Sequence, residues 1–157
     1  MKFQNIVLLS VAAFIIWPRN GAGIGAIKKT KYLPVYDGDK VNTALQLKAA
    51  PGVYIIKKNG VIRYVGMSAS NVYKTMLRHF QQWDDPKQVR VTYSKNDPGI
   101  KARVIYCTPQ QAARLERALI VKHQPQDNPN KYNNYVLDLA DDRIIENVKY
   151  SEEIAPF

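Results

Sequence analysis

Hydrophobic positions fall into a clear pattern only in the centre of the chain, and there they predict a hairpin. Residues 52–56 (GVYII) form an apolar, β-branched run, residues 61–65 (VIRYV) form a second, and Lys58-Asn59-Gly60 lies between them. Asn-Gly between two such runs is a strong hairpin signal, because both turn residues adopt positive φ. Over residues 71–83 the period changes to that of a helix. Val72, Met76, Phe80 and Trp83 share one face, and Lys74, Thr75, Arg78, His79 and Gln82 share the other. Residues 89–93 and 102–107 read as further strands, and the turn residues Asn96-Asp97-Pro98-Gly99 between them predict that they pair. The last element opens with Thr108 as N-cap, Pro109 at the first helical position and Gln111 at the capping-box position. It is expected to run to about His123 and stop before Pro125. The fold class is α+β, a small, mainly antiparallel sheet flanked by helices and preceded by an N-terminal hydrophobic helix.

That first helix is the uncharged apolar run of residues 6–17 (IVLLSVAAFIIW), which reaches fifteen residues when counted from Phe3. A bilayer span wants roughly 20 residues, so three readings stand: a secretory signal, a short signal-anchor, and a helix packed on a partner protein. The anchor is preferred, with Trp17 at one membrane interface. Arg19, Lys28, Lys29 and Lys31 follow the run and only Lys2 precedes it, so the positive-inside rule puts the body on the cytoplasmic side. The alternative is a cytoplasmic protein or a component of a larger particle. The chain then divides into a hydrophobic anchor or signal-like helix (1–27), a linker with one short helix near residues 41–48 (28–49), a globular domain (50–135) and an acidic C-terminal segment (136–157).

Charge changes this picture by suggesting a partner. The formal net charge is +10, yet residues 136–157 hold six acids against two bases, so that segment carries −4 and residues 1–135 carry +14. Such a basic body suits a polyanion, nucleic acid first and an anionic membrane second. An apolar fraction of 46% argues against global disorder. Cys107 is the only cysteine, which excludes an intrachain disulfide and a cysteine-based zinc site. It follows a β-branched apolar run and is expected to be buried and inert.

The helix of residues 109–123 carries the most informative residue. Ala112, Ala113, Leu115, Leu119 and Ile120 make one apolar arc, and Glu116 falls inside it. A carboxylate aimed at a core must find a cation, a metal or a proton. A structural ion pair with a nearby Lys or Arg satisfies that need as well as a functional role does. The hairpin adds Tyr54 and Tyr64 on paired strands.

Taken in order, Gly52-Val53-Tyr54, nine residues, Tyr64-Val65-Gly66, His79 on the next helix, Glu116 on a later one and Asn128 just beyond it form a pattern that resembles the GIY-YIG endonucleases. The resemblance covers about residues 50–130. One departure is Thr75, which stands where the family's helix carries an arginine; Arg78, one turn on, and Lys74 are the cations offered in its place. The resemblance implies metal-dependent hydrolysis of phosphodiester bonds in nucleic acid, DNA in preference to RNA, with Mg²⁺ or Mn²⁺ held by Glu116 and no small-molecule cofactor. It further implies that Tyr54 helps deprotonate the attacking water, Tyr64 shapes the site, His79 assists proton transfer and Arg78 grips the phosphate. Lys57, Lys74 and Asn128 are candidate substrate contacts, although strand alternation points Lys57 away from Tyr54.

Overall fold

The computed structural model describes residues 28–82 and 91–137. In chain order the elements are β1 (Lys28–Lys29), β2 (Tyr36–Asp37), β3 (Lys40–Val41), β4 (Gly52–Lys58), β5 (Val61–Ser68), α1 (Val72–Leu77), β6 (Ile100–Tyr106) and α2 (Pro109–His123). Single 3₁₀ turns lie at Thr43–Leu45 and Arg78–Phe80. Four strands form one antiparallel sheet in the order β1-β6-β4-β5, and β2 and β3 form a separate two-stranded ribbon. The class is the expected α+β.

Asn59 and Gly60 both have positive φ, at 51° and 82°, so β4 and β5 are joined by the two-residue turn that Asn-Gly favours. Alternation along β4 then sends its side chains to two cores. Tyr54 and Ile56 pack with Ala102, Val104, Val72, Met76 and Phe80, on the face that α1 covers. Val53 and Ile55 pack with Val65, Ile105, Leu115, Leu119 and Ile120, under α2. Each fully buried leucine or isoleucine of this kind contributes about 1.5–3 kcal/mol. The N-terminus of α2 is capped as expected: the Thr108 hydroxyl accepts from the Gln111 N–H, and the Gln111 side chain accepts from the Thr108 N–H.

Three sequence expectations need correction. Residues 91–93 join no strand ladder, and residues 89–90, like Trp83, lie outside the described residues. The place beside β6 is filled instead by residues 28–33, where Thr30 N–H donates to Val104 O at 2.9 Å and Leu33 exchanges both backbone bonds with Ala102. The stretch read as a linker is therefore packed: Val35 and Leu45 are buried in the α1-side core, and the Tyr106 hydroxyl ties down the backbone at Gln46 and Lys48. The helix expected over residues 71–83 is also shorter, since α1 ends at Leu77 and the chain tightens into the 3₁₀ turn. His79 is only 5% exposed rather than part of a polar face, because it follows Val72 by seven residues and Met76 by three and so falls beside the buried stripe.

Among the described residues no helix is long and apolar enough to cross a membrane. The hydrophobic segment 1–27 and residues 138–157 of the acidic segment lie outside them.

β5 is an edge strand, and its outward backbone groups are covered by the turn after α2. Asn128 accepts from Val65 N–H at 2.9 Å and donates to Val65 O at 2.7 Å, while Asp127 N–H donates to Arg63 O at 3.0 Å. Arg63 is the extra residue of a bulge, for Ile56 pairs with Tyr64 and Lys57 with Ile62. Its side chain grips the Asp127 carboxylate at 2.9 and 3.1 Å and also donates to Gln126. Asn128→Ala removes two buried bonds and should cost about 2–3 kcal/mol. The check is the urea midpoint at unchanged slope; an unmoved midpoint would show that the turn does not hold the edge.

Candidate functional site

Tyr54 leaves β4 on the α1 face and lies across β5 at Gly66, its register partner. A Cβ on Gly66 would stand 2.4 Å from the phenol oxygen, so this crossing exists only because position 66 has no side chain. The phenol reaches His79, with Oη and Nε2 2.8 Å apart, while His79 Nδ1 lies 2.7 Å from the carbonyl of Val91. A carbonyl only accepts, so Nδ1 carries the hydrogen, and in the neutral ring Nε2 is left to accept from Tyr54 O–H. Tyr64 lies beside the pair, its ring centroid 4.5 Å from that of His79 and 6.0 Å from that of Tyr54.

These three aromatic groups form one wall of a cleft of about 410 Å³, with Glu116, Thr75 and Asp127 also on its lining. Glu116 arrives from α2 on the other side of the sheet, beside β5, where the Met67 N–H favours its charged form. Val65 and Met67 share one parity along β5, so the Met67 N–H belongs to the row of outward groups that Asn128 covers in part. Burial holds the Glu116 carboxyl above its ordinary pKa, opposed by the neighbouring Arg117 charge and by the Met67 N–H. Among the described residues no ion pair engages Glu116. The Asp127 carboxylate is different: Arg63 holds both oxygens, and the Tyr93 hydroxyl donates to Oδ2 at 2.9 Å. Burial, then that bond, pushes the Tyr93 phenol far up.

Four of the residues expected from sequence therefore behave differently from the rest. Tyr54, Tyr64, His79 and Glu116 converge on the cleft, together with Thr75. Arg78 and Lys74 do not; four residues apart, they share another side of the chain and line a separate recess of about 300 Å³. Lys57 lies on the α2 face, its amine 3.9 Å from the centre of the Tyr32 ring. Asn128 is 5% exposed and its amide is engaged with Val65, so it supports β5 and does not line the cleft. No lysine or arginine is among the described residues that line it. Cys107 is half-buried, and burial pushes its thiol up to about 11, in keeping with an inert side chain.

Sequence reasoning missed Asp127, Arg63 and Tyr93. Arg63 and Asp127 are 64 positions apart, and neither periodicity nor a motif joins them. The only signal was an arginine inside an otherwise apolar strand.

Among the described residues no group of three or more His, Cys, Asp or Glu is arranged to hold a metal. That excludes a closed zinc-type site there. Of the two carboxylates on the cleft, Asp127 is held by Arg63, which leaves Glu116 to fit Mg²⁺ or Mn²⁺, because Mg²⁺ commonly takes one or two carboxylates and completes its shell with water and phosphate oxygens.

No family model matches the chain, and no curated protein or solved structure matches it.

The raised pKa of Glu116 has a stability consequence with a definite sign. Its contribution is fully present below the unfolded pKa of about 4.3 and is lost as the pH rises through the higher folded value. Glu116→Gln keeps an acceptor for Met67 N–H but cannot ionise. The variant should melt above the wild type at neutral pH, with the difference closing below about pH 4. Thermal melts at the two pH values check it; a lower-melting variant at neutral pH would mean the charge itself stabilises the fold.

Proposed function

We propose that the protein is a metal-dependent phosphodiester hydrolase of the GIY-YIG type, acting on nucleic acid, DNA in preference to RNA, and tethered to a membrane by residues 1–27. The observation that carries this reading is the Tyr54–His79 hydrogen bond opening onto a cleft that Glu116 also faces.

Glu116 would hold the Mg²⁺ or Mn²⁺, and the bound ion supplies charge neutralisation and orientation of the phosphate. The remaining chemistry belongs to the chain. A water between the phenol and the phosphate donates a hydrogen bond to Tyr54 Oη. As the water oxygen attacks phosphorus, its proton passes to Oη and the phenol proton passes to His79 Nε2. The imidazolium so formed keeps its Nδ1–H on the Val91 carbonyl, which stabilises the new charge. The bond from phosphorus to the leaving oxygen then breaks, and that oxygen takes a proton from solvent or from the imidazolium. A general base of this kind contributes typically about 10²–10⁴-fold. Tyr64 packs on the imidazole and limits its rotation.

A second reading has one observation in its favour. With Thr75 in place of the family arginine, and Arg78 and Lys74 on another recess, no arginine or lysine among the described residues lines the cleft. The same fold would then bind nucleic acid, or serve as a structural module of a membrane-associated assembly, with weak hydrolysis or none.

Incubation of the full-length protein in mild detergent with plasmid and single-stranded DNA separates the two. The first reading expects cleavage with Mg²⁺ or Mn²⁺, none in EDTA, and none from Glu116→Ala; activity surviving in EDTA would overturn it. Thr75→Arg brings a guanidinium to the cleft and should raise turnover by about tenfold or more, the scale of one charge-assisted contact made in the transition state. Arg78→Ala, by contrast, should leave turnover within about threefold of the wild type, less than one such contact is worth. On the membrane side, deleting residues 1–27 should move the protein from the membrane fraction to the soluble one, and a full-length chain that already fractionates as soluble would sink the anchor.

A further inference from the structure

The α2 face of the sheet is divided. Helix α2 covers its apolar half, built from Val53, Ile55, Val65 and Ile105. The remaining half bears Lys57 of β4 directly opposite Lys101 of β6, with Arg103 two residues along β6 and Lys29 of β1 opposite Ile105. No strand residue on this face is acidic. Like charges directly opposite one another on a sheet are destabilising, and sheets ordinarily relieve them with a cross-strand acid.

The grouping is held in place from within. The Arg103 guanidinium donates twice to the carbonyl of Thr30, at 3.0 and 3.1 Å, and lies 4.4 Å from the centre of the Tyr32 ring. Lys57 sits over the same ring. Beside them, at the tip of the β4–β5 hairpin, is a recess of about 430 Å³ lined by Tyr32, Lys57, Asn59, Gly60, Gly99 and Lys101. Burial first, and then Arg103, holds the Lys57 amine below its ordinary pKa and brings Lys29 down to about 8.

We propose that this cationic half-face, centred on Lys57 and Lys101, is a second nucleic-acid contact that grips backbone phosphate on the side of the sheet away from the Tyr54 cleft. It rests on the nucleic-acid part of the proposed function and not on hydrolysis. The lysines lie in a recess beside a projecting hairpin rather than on a flat apolar-rimmed surface, and a recess receives a phosphodiester ridge better than it meets a bilayer plane. Among the described strand residues no acid faces Lys57 and Lys101, and a phosphate seated there supplies that charge.

The test is fluorescence anisotropy of a labelled duplex with the full-length protein in EDTA, where cleavage does not interfere, between about 50 and 200 mM salt. For Lys57→Gln with Lys101→Gln, affinity should fall by about tenfold or more at low salt. The slope of log K against log salt should shrink by about 1.8, which is about 0.9 for each lost phosphate contact. The comparison variant, Lys40→Gln with Lys48→Gln, removes the same charge from exposed positions elsewhere and should move the slope by less than half as much. Equal losses in the two variants would reduce the surface to general charge and overturn the inference. An unchanged slope in the first variant would overturn it while leaving the proposed nuclease standing. No duplex binding by the wild type at low salt would overturn both. A loss of binding to phosphatidylserine vesicles without loss of DNA binding would reassign the face to a membrane and also overturn it. Should the double variant fold poorly by thermal melt, Lys101→Gln alone, at an exposed position, is expected to shrink the slope by about 0.9.

Discussion

Everything at the candidate site hangs on how the edge of one strand is covered. An edge strand exposes a row of backbone donors and acceptors that would otherwise pair with water or another chain. On β5 that row is met from a single source, α2 and the turn that follows it: Asp127 N–H on Arg63 O and the Asn128 amide on both groups of Val65, with the Glu116 carboxylate set toward Met67 N–H. The cover fixes the height of α2 against the strand that carries Tyr64 and Gly66. Glu116, rooted on the far face, thereby reaches the same cleft as tyrosines from the near face. Its half-buried carboxylate costs stability when ionised, and the Met67 N–H offsets part of that cost.

His79 depends on a second constraint, which passes through the backbone. Its Nδ1–H is held by Val91 O, and its own carbonyl accepts from Tyr93 N–H at 2.7 Å. Tyr93 is in turn tied by its hydroxyl to Asp127, and Asp127 to Arg63. The chain of contacts thus closes a loop, from the imidazole through Tyr93 and Asp127 back to the bulge of β5. A bulge at that position has a clear use: the extra residue is the one whose side chain and carbonyl both engage the covering turn. Rotation of the imidazole would break a bond on each side of it, so the tautomer that leaves Nε2 facing Tyr54 is built in by neighbours on three segments.

Elements governed by local chemistry were legible in the sequence. The hairpin follows from Asn59-Gly60, and α2 follows from Thr108, Pro109 and Gln111, with bounds that match at both ends. Elements governed by competition for a place in the sheet were not. Residues 91–93 have strand-like composition, yet residues 28–33 occupy the position beside β6, and nothing local to either segment decides between them. The helical wheel failed at His79 for a related reason. Four residues after Thr75 but seven after Val72, His79 borders both faces, and only the packing decides that it joins the buried one. Of the site, Glu116 was visible as a residue type out of keeping with its pattern, and the tyrosines only through their spacing in the ordered set with it. Arg63, Asp127 and Tyr93 are ordinary in sequence and meet only in the fold.

The distribution of charge around the cleft constrains any chemistry proposed for it. The chain carries a net +10, yet among the described residues no lysine or arginine lines the cleft, while Glu116 and Asp127 both do. A phosphodiester drawn to that surface alone would meet two carboxylates and gain nothing electrostatically. Two sources of positive charge can reverse this: an ion on Glu116, and cations set back from the cleft that hold the polymer elsewhere along its length. The recess with Lys74 and Arg78 on one side and the Lys57–Lys101 face on the other are disposed in that way. On the proposed reading, affinity and hydrolysis are therefore separate properties of separate surfaces. On that reading, threonine rather than a cation at position 75 weakens only the second, since a long polyanion is held by the sum of many phosphate contacts and the reacting phosphate by the few groups that touch it.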